Sequence, residues 1–486
     1  MAATVRQVAA DGSTLDSTWV APAGEGQLQV GPGEPLIDRT RLGDPEPLGP
    51  ELARLVHLTD AHVMDASSPA RVPFLARFGP PLQSTFRPQE ALTAQVLHGA
   101  INAVRAFDPD LVLQGGDLID NVQNNELEHA LTLLNGGRLH PGSGPDGYCG
   151  VQLASNPDPF YYRPDIDAPH HPGLLERAVR AFTSFGVGSP WVPVLGDHDA
   201  LVAGLLVPTA VTQELAVGDR ALWEMPTDLQ LPSGVDLSTG SAPGGPPAPD
   251  LVASFVEQAL ASRTVQVPPD AGRYELEFPE VIERLWAGSG AGAQLQLSAA
   301  AAAAAGDRLD YVRDVGDSLR LIVLDVVRRG GGSGGLVQEG QPAWLAEQLA
   351  GAGRRWVIVA THHPLENTSG AERLVALLDG SPRVIAAIAG HTHRNRIIAR
   401  ETPAGGYWLI TTCSLIDYPQ QCRALRLYAT AGGGVALQTW MLDHVGDGTL
   451  GPISRELSHL DARERAVHLT GTRWDRNATL FRRSGA

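Results

Sequence analysis

Trp191-Val192-Pro193-Val194-Leu195-Gly196-Asp197-His198-Asp199 is the stretch that decides the fold. Five residues with no charge and little polarity run into a turn carrying three ionisable side chains. A near-continuous apolar run of this length reads as a strand buried on both faces. In open α/β sheets, ligands gather just past the carboxyl ends of such strands.

The same pattern recurs along the chain. Leu55–Thr59 runs into Asp60-Ala61-His62, and Leu111–Leu113 is followed by Gly115-Gly116-Asp117. Leu319–Leu324 ends at Asp325, and Trp356–Ala360 runs into Thr361-His362-His363-Pro364. Val384–Ala389 runs into Gly390-His391-Thr392-His393. Tyr407–Thr412, Arg423–Tyr428 and Val435–Leu442 complete the series. Helical spacing lies between several of these runs, over Gln89–Phe107, Leu174–Phe185 and Pro342–Ala350. Strands alternating with helices predict an α/β body.

The organisation follows from where this rhythm breaks. Residues 1–50 are rich in Gly, Pro and Asp and read as an extended N-terminal arm. The main domain spans 51–450, with insertions at about 141–172 and 200–307. Residues 451–486 form a C-terminal tail packed on, or trailing from, the body. The longer insertion holds the Gly240–Pro249 run, which reads as loop, and Ala299–Ala305, which predicts a short helix. It is either a lid over the site or a surface decoration.

Composition excludes whole classes. The 486 residues contain no lysine, so all 37 basic residues are arginine. A P-loop, a Schiff-base enzyme and a Ser–Lys dyad are thereby excluded. The formal net charge of −17 argues against a nucleic-acid partner. Three cysteines, at 149, 413 and 422, make no disulfide framework. With no basic segment leading into an apolar run near Met1 and no long apolar span, a cytoplasmic chain without a membrane partner is expected. The sequence leaves the oligomeric state open.

Asp and His are ligands for hard to borderline metals. Six of the 15 histidines sit in four motifs directly after strand-like runs. A second His-His-Pro triplet, His170-His171-Pro172, precedes the third motif and follows Pro169 rather than a strand, so it reads as surface loop.

The ordered set Asp-x-His, Gly-Asp, Gly-Asp-His-Asp, His, Gly-His-x-His resembles the calcineurin-like metallophosphoesterases, in bacteria a class of metal-dependent phosphohydrolase. The motifs cover roughly residues 53–395. The resemblance implies a four-layer α/β/β/α sandwich with a long insertion, holding two divalent ions of manganese, iron, zinc or nickel. Asp60, His62 and His393 would hold the first ion, Asp197, His362 and His391 the second, and Asp117 would bridge them. It implies hydrolysis of a phosphate mono- or diester, a small phosphorylated substrate, by a metal-bridging hydroxide attacking phosphorus in line. His198 would contact the phosphate and help the leaving group depart, with Asp199 fixing its tautomer. His363 would stand behind the ligands. The alternative is a catalytically inactive scaffold of the same fold.

The family usually has Asn where this chain has Asp197, so one extra negative charge is expected at the second ion. Arg71 and Arg394 are candidates for gripping phosphate, and Asn121 for a polar contact near the metals. Asp65, Ser67, Ser68, Asn124, Asn125, Glu126, Asn395, Ser414, Asp417, Gln420 and Gln421 also follow the motifs and are candidates for substrate selection, though each taken singly reads better as a loop-ordering residue.

Overall fold

The computed structural model describes residues 9–21, 28–79, 82–144, 147–224, 258, 264–289, 308–446 and 448–484. All nine apolar runs lie on strands or reach one or two residues past their ends. They are divided between two mixed sheets. The first has seven strands in the order Ile37–Leu42, Ala478–Arg482, Val435–Asp443, Gln421–Thr430, Leu48–Leu58, Leu111–Gln114 and Trp191–Pro193. The second has six, in the order Tyr311–Val315, Leu319–Val323, Trp356–Ala360, Val384–Ala389, Tyr407–Thr411 and Arg396–Arg400.

Period-two alternation shows how the layers stack. In the second sheet Leu321, Val323, Ile358, Ala360, Ile388 and Ile410 share one core with Leu55, Leu113, Val192 and Leu425 of the first. Their neighbours Ile322, Val357 and Val359 point the other way, onto Leu345, Leu374 and Leu378. Those leucines belong to the helices Gln341–Ala350 and Glu372–Asp379. Against the first sheet lies Thr93–Phe107, in contact with Gln421–Thr430, Val435–Asp443 and the helix Asn124–Asn135. The result is the expected four-layer α/β/β/α sandwich. Each fully buried Ile, Leu or Val contributes about 1.5–3 kcal/mol.

Several boundaries differ from expectation. Residue 50 does not separate an arm from the body: Leu48–Leu58 is one strand, and Ile37–Leu42 is the edge of its sheet. Further upstream, Thr14 Oγ1 donates to Met441 O at 2.8 Å and Thr18 Oγ1 to Asp443 Oδ2 at 2.9 Å. The C-terminal residues add the helix Leu450–Glu464 and the strand Ala478–Arg482, which pairs with Val435–Thr439. Of the helix expected over Leu174–Phe185, only Leu174–Ala178 is helical; Phe182–Ser184 pairs with Gly137–Leu139 instead. Aromatic and β-branched residues suit that pairing, and a cross-strand partner outweighs a weak helical period.

The described parts of the 200–307 insertion pack on the body. Val281, Ile282 and Leu285 of the helix Phe278–Gly288 enter the main core. Gly240–Pro249 and Ala299–Ala305 lie outside the described residues.

Candidate metal centre

The two sheets present their parallel strands with carboxyl ends on the same side, and every predicted ligand sits on a loop leaving one of those ends. Asp60 and His62 follow Leu48–Leu58, Asp117 follows Leu111–Gln114, and Asp197 follows Trp191–Pro193. His362 follows Trp356–Ala360, and His391 and His393 follow Val384–Ala389.

Their donor atoms converge in two groups that share one carboxylate. Asp60, His62, Asp117 and His393 form the first group, and Asp117, Asp197, His362 and His391 the second; in each, all ligand atoms lie within 4.8 Å of one another. His393 Nε2 lies 3.3 Å from Asp60 Oδ1 and 3.3 Å from His62 Nε2. Asp117 Oδ2 lies 3.6 Å from His62 Nε2 and 3.1 Å from His362 Nε2. Asp197 Oδ1 is 3.3 Å from His362 Nε2 and 3.3 Å from His391 Nδ1. Three histidines surround Asp197, the third being His363 at 3.3 Å. All seven predicted ligands are thus brought together.

The backbone holds these side chains at a cost. Asp60, His62, Asp117, His391 and His393 all have positive φ, between 44° and 63°. A non-glycine residue in this region costs roughly 1–2 kcal/mol, and such strain gathers at functional sites. The loops hold one another in place: Asp60 N donates to Gly116 O at 3.0 Å, His62 N to Asp117 O at 3.0 Å, and His391 N to Asp60 Oδ1 at 3.0 Å. Gly196 permits a close approach, because a Cβ there would lie 2.2 Å from Asp117 N and from Asp117 Oδ1.

Three ligand histidines are oriented through their second ring nitrogen. His62 Nδ1 lies 3.1 Å from Asp120 Oδ1, His362 Nδ1 donates to Gly115 O at 2.8 Å, and His393 Nδ1 lies 2.6 Å from Asp417 Oδ2. Each bond fixes the tautomer and turns Nε2 toward the shared centre. Asp120 was missed in the sequence, although its place three residues after Asp117 was a usable signal. Asp417 reads in the sequence as a substrate-selection candidate or a loop-ordering residue, and its hold on a ligand histidine goes beyond both.

Electrostatics inside the cluster follow from burial and proximity. Burial opposes the charge on Asp197, yet His391, His362 and His363 hold its carboxyl well below the usual range. Burial likewise disfavours a charged His362, but Asp117 and Asp197 raise it well above an ordinary imidazole. His393 is pushed up to about 9, because Asp60 and Asp417 outweigh burial. His363 goes down to about 4 through burial and the neighbouring His391. Its Nε2 donates to Ser333 O at 2.9 Å, which places it behind the ligands as expected.

These residues fit a metal pair. His362 Nε2 and Asp197 Oδ1 are buried without a hydrogen-bond partner among the described residues. Mixed imidazole and carboxylate donors suit borderline divalent ions.

The other predicted residues divide. His198 lines the cavity of about 220 Å³ in front of the cluster, its Nδ1 donating to Asp120 O at 2.6 Å. Asp199 does not fix the His198 tautomer. Its carboxylate accepts from Leu118 N, Ile119 N and Gly196 N at 2.8, 3.2 and 2.9 Å, tying the second and third motif loops together. Burial and Asp117 push Asp199 up to about 7. Arg71 lies outside the cavity lining. It is buried and spans Glu90, with Nη1 2.8 Å from Oε1 and Nη2 2.5 Å from Oε2. Arg394 is exposed and lies outside the cavity lining. Asn121 accepts from Ala203 N at 2.8 Å, and its Nδ2 has no hydrogen-bond partner among the described residues. The arginines that do line the cavity are Arg87 and Arg465, both bonded to Asp417. Asp65, Asn125 and Glu126 form a buried network with Arg273 and order the loops, as expected. His171 pairs with Glu456 at 3.1 Å on the Leu450–Glu464 helix.

No protein-family model matches the chain, and no curated protein matches it in sequence. Similar solved structures include a dimetal phosphatase from Danio rerio, 12% identical, covering 81% of this chain and 100% of that one at a TM-score of 0.42. The sulfate thiohydrolase SoxB of Thermus thermophilus is 12% identical, covering 87% of this chain and 62% of that one at 0.30. An NAD nucleotidase of Haemophilus influenzae is 9% identical, covering 86% and 56% at 0.27. These are distant likenesses, and the reading of the centre rests on its own geometry. Among the described residues no helix is long and apolar enough to cross a membrane.

Proposed function

We propose that this chain is a calcineurin-like metallophosphoesterase, a dinuclear metal-dependent hydrolase of phosphate mono- or diesters. One observation carries the reading: two groups of Asp and His donors, each compact enough for one ion, share Asp117. Manganese, iron, zinc and nickel all suit this donor set. Bound there, such a pair supplies charge stabilisation for phosphoryl oxygens and lowers the pKa of a water.

The chain's own residues supply the remainder. Asp120 and Asp417 orient His62 and His393, so the ligand nitrogens need no rearrangement. His198 gives Nδ1–H to Asp120 O, and against burial Asp117, Asp120 and Asp197 raise its pKa, which favours the imidazolium whose Nε2–H a departing alkoxide takes. Arg87 and Arg465 give the cavity wall positive charge that favours an anionic ester.

The test is metal analysis of purified protein, then assay of generic phosphate mono- and diesters with each metal added back. About two ions per chain with metal-dependent hydrolysis supports the reading. Two ions with no hydrolysis supports the inactive scaffold.

A further inference from the structure

Beside the metal-ligand cavity lies a second, larger one of about 440 Å³, and the two share Gln83 and Arg465 in their walls. That volume falls in the range of small-molecule sites. Its walls come from outside the seven-ligand core. Phe160 and Tyr162 belong to the 141–172 insertion, Phe86 to the segment before the first long helix, and Asp461 and Glu464 to the C-terminal helix.

The walls have a distinct chemistry. Phe160 is 37% exposed, one of few large apolar side chains left open to solvent among the described residues. It is nonetheless fixed. Its centroid lies 5.9 Å from Phe86 and 5.2 Å from Tyr161, and the Arg77 guanidinium stacks on it at 4.2 Å. An exposed but immobilised aromatic ring on a cavity wall is a stacking platform. Three carboxylates line the same cavity: Asp167, paired with Arg163, Asp461, paired with Arg465, and Glu464, which has no ion pair among the described residues, so the lining keeps an acidic balance. They disfavour a second anionic group there and can accept from hydroxyl or amino groups. Arg87 lines the other cavity, and Arg465 stands in the walls of both.

We propose that the second cavity is the leaving-group subsite of the phosphohydrolase reading above, and takes an uncharged planar aromatic group such as a nucleoside. The phosphate lies at the Asp/His cluster and the ring against Phe160, with Gln83 and Arg465 at the junction. In the hydrolysis, water forms the new P–O bond and the ester P–O bond breaks. The alcohol leaves with a proton, and the phosphate keeps the water oxygen.

Two measurements test this on the full chain. The first compares kcat/KM for adenosine 5′-monophosphate with that for glycerol phosphate, in wild type and in Phe160→Ala. The expected ratio favours the nucleotide and falls about fivefold or more in Phe160→Ala, the scale of losing one stacking partner. Phe160→Tyr restores it. The second is calorimetric binding of adenosine, which needs no turnover, with affinity weakened in Phe160→Ala. An unchanged ratio, or adenosine affinity equal in both proteins or absent in both, overturns the subsite. If no ester is hydrolysed yet adenosine binds in a Phe160-dependent way, the ring subsite stands and the hydrolase reading falls.

Discussion

The Nδ1 of His393 lies 2.6 Å from Asp417 Oδ2 while its Nε2 lies 3.3 Å from Asp60 Oδ1, so one imidazole links a buried carboxylate to the candidate ligand group. Asp417 also receives Arg87 Nε at 2.8 Å and Arg465 Nη2 at 3.4 Å. A single carboxylate therefore orients a ligand histidine and holds both arginines of the cavity wall in place, leaving that wall net positive.

Asp417→Asn keeps the shape and removes the charge. Metal affinity at the first position should drop ten- to hundredfold, as is usual when a carboxylate behind a ligand histidine is lost. Metal content after graded dialysis against a chelator checks this. Full retention of both ions would show that His393 needs no orientation from Asp417.

Asp117→Ala should cost both ions, because Asp117 is the only residue common to the two ligand groups. Activity should be lost with them. Loss of a single ion equivalent would remove the bridging role and leave the other six residues as they are.

Asp197→Asn takes one negative charge from the second group while keeping an oxygen donor. The second group, Asp117, residue 197, His362 and His391, should then hold a divalent ion less tightly. The readout is metal stoichiometry against chelator concentration. An unchanged curve would mean that the carboxylate serves only to pair the histidines.

Much of this was legible in the sequence for a physical reason. Strands buried on both faces, such as Trp356–Ala360, must be apolar throughout, and each ligand must follow such a strand directly. Ile37–Leu42, Arg396–Arg400 and Ala478–Arg482 were missed because they carry charged residues within their pattern, and the first two lie at sheet edges. Arg71 was misassigned because distance from a motif says nothing about burial. Its partner Glu90 lies 19 residues away, beyond the 3-10 segments Pro73–Phe78 and Leu82–Thr85. Arg465 could not be foreseen, since it reaches the cavity only through the docking of the Leu450–Glu464 helix.

Glu275 supplies a pH-dependent stability term away from the metal ligands. Burial pushes its carboxyl from 4.5 up to about 7, with the Thr212 hydroxyl at 2.7 Å opposing. The folded chain therefore keeps this proton to about pH 7, while the unfolded chain releases it near pH 4.5. Stability falls as pH rises through that window, by about 3 kcal/mol at most. Glu275→Gln cannot ionise. Its stability relative to wild type should rise between pH 5 and pH 8, measured by urea unfolding at each. A constant difference would mean that Glu275 is ionised in the fold throughout.

Gly204→Ala tests His198 without touching its ring chemistry. Gly204 has φ +68°, and a Cβ there would lie 2.4 Å from His198 Cδ2 and 2.6 Å from Nε2. The imidazole must turn away, or the loop must shift, and Ala also bears about 1–2 kcal/mol of left-handed strain. The same Cβ lies 2.8 Å from Asp197 Oδ2, so metal content has to be measured alongside rate. If His198 protonates the leaving oxygen, the loss depends on how much that oxygen needs the proton. Phenyl phosphate, with a poor leaving group, should lose roughly tenfold or more in kcat. p-Nitrophenyl phosphate, with a good one and a ring of similar size, should lose much less at equal metal content. Equal losses on both esters would instead place the effect of the substitution on Asp197 and the second ion, and His198 would then have no part in proton transfer.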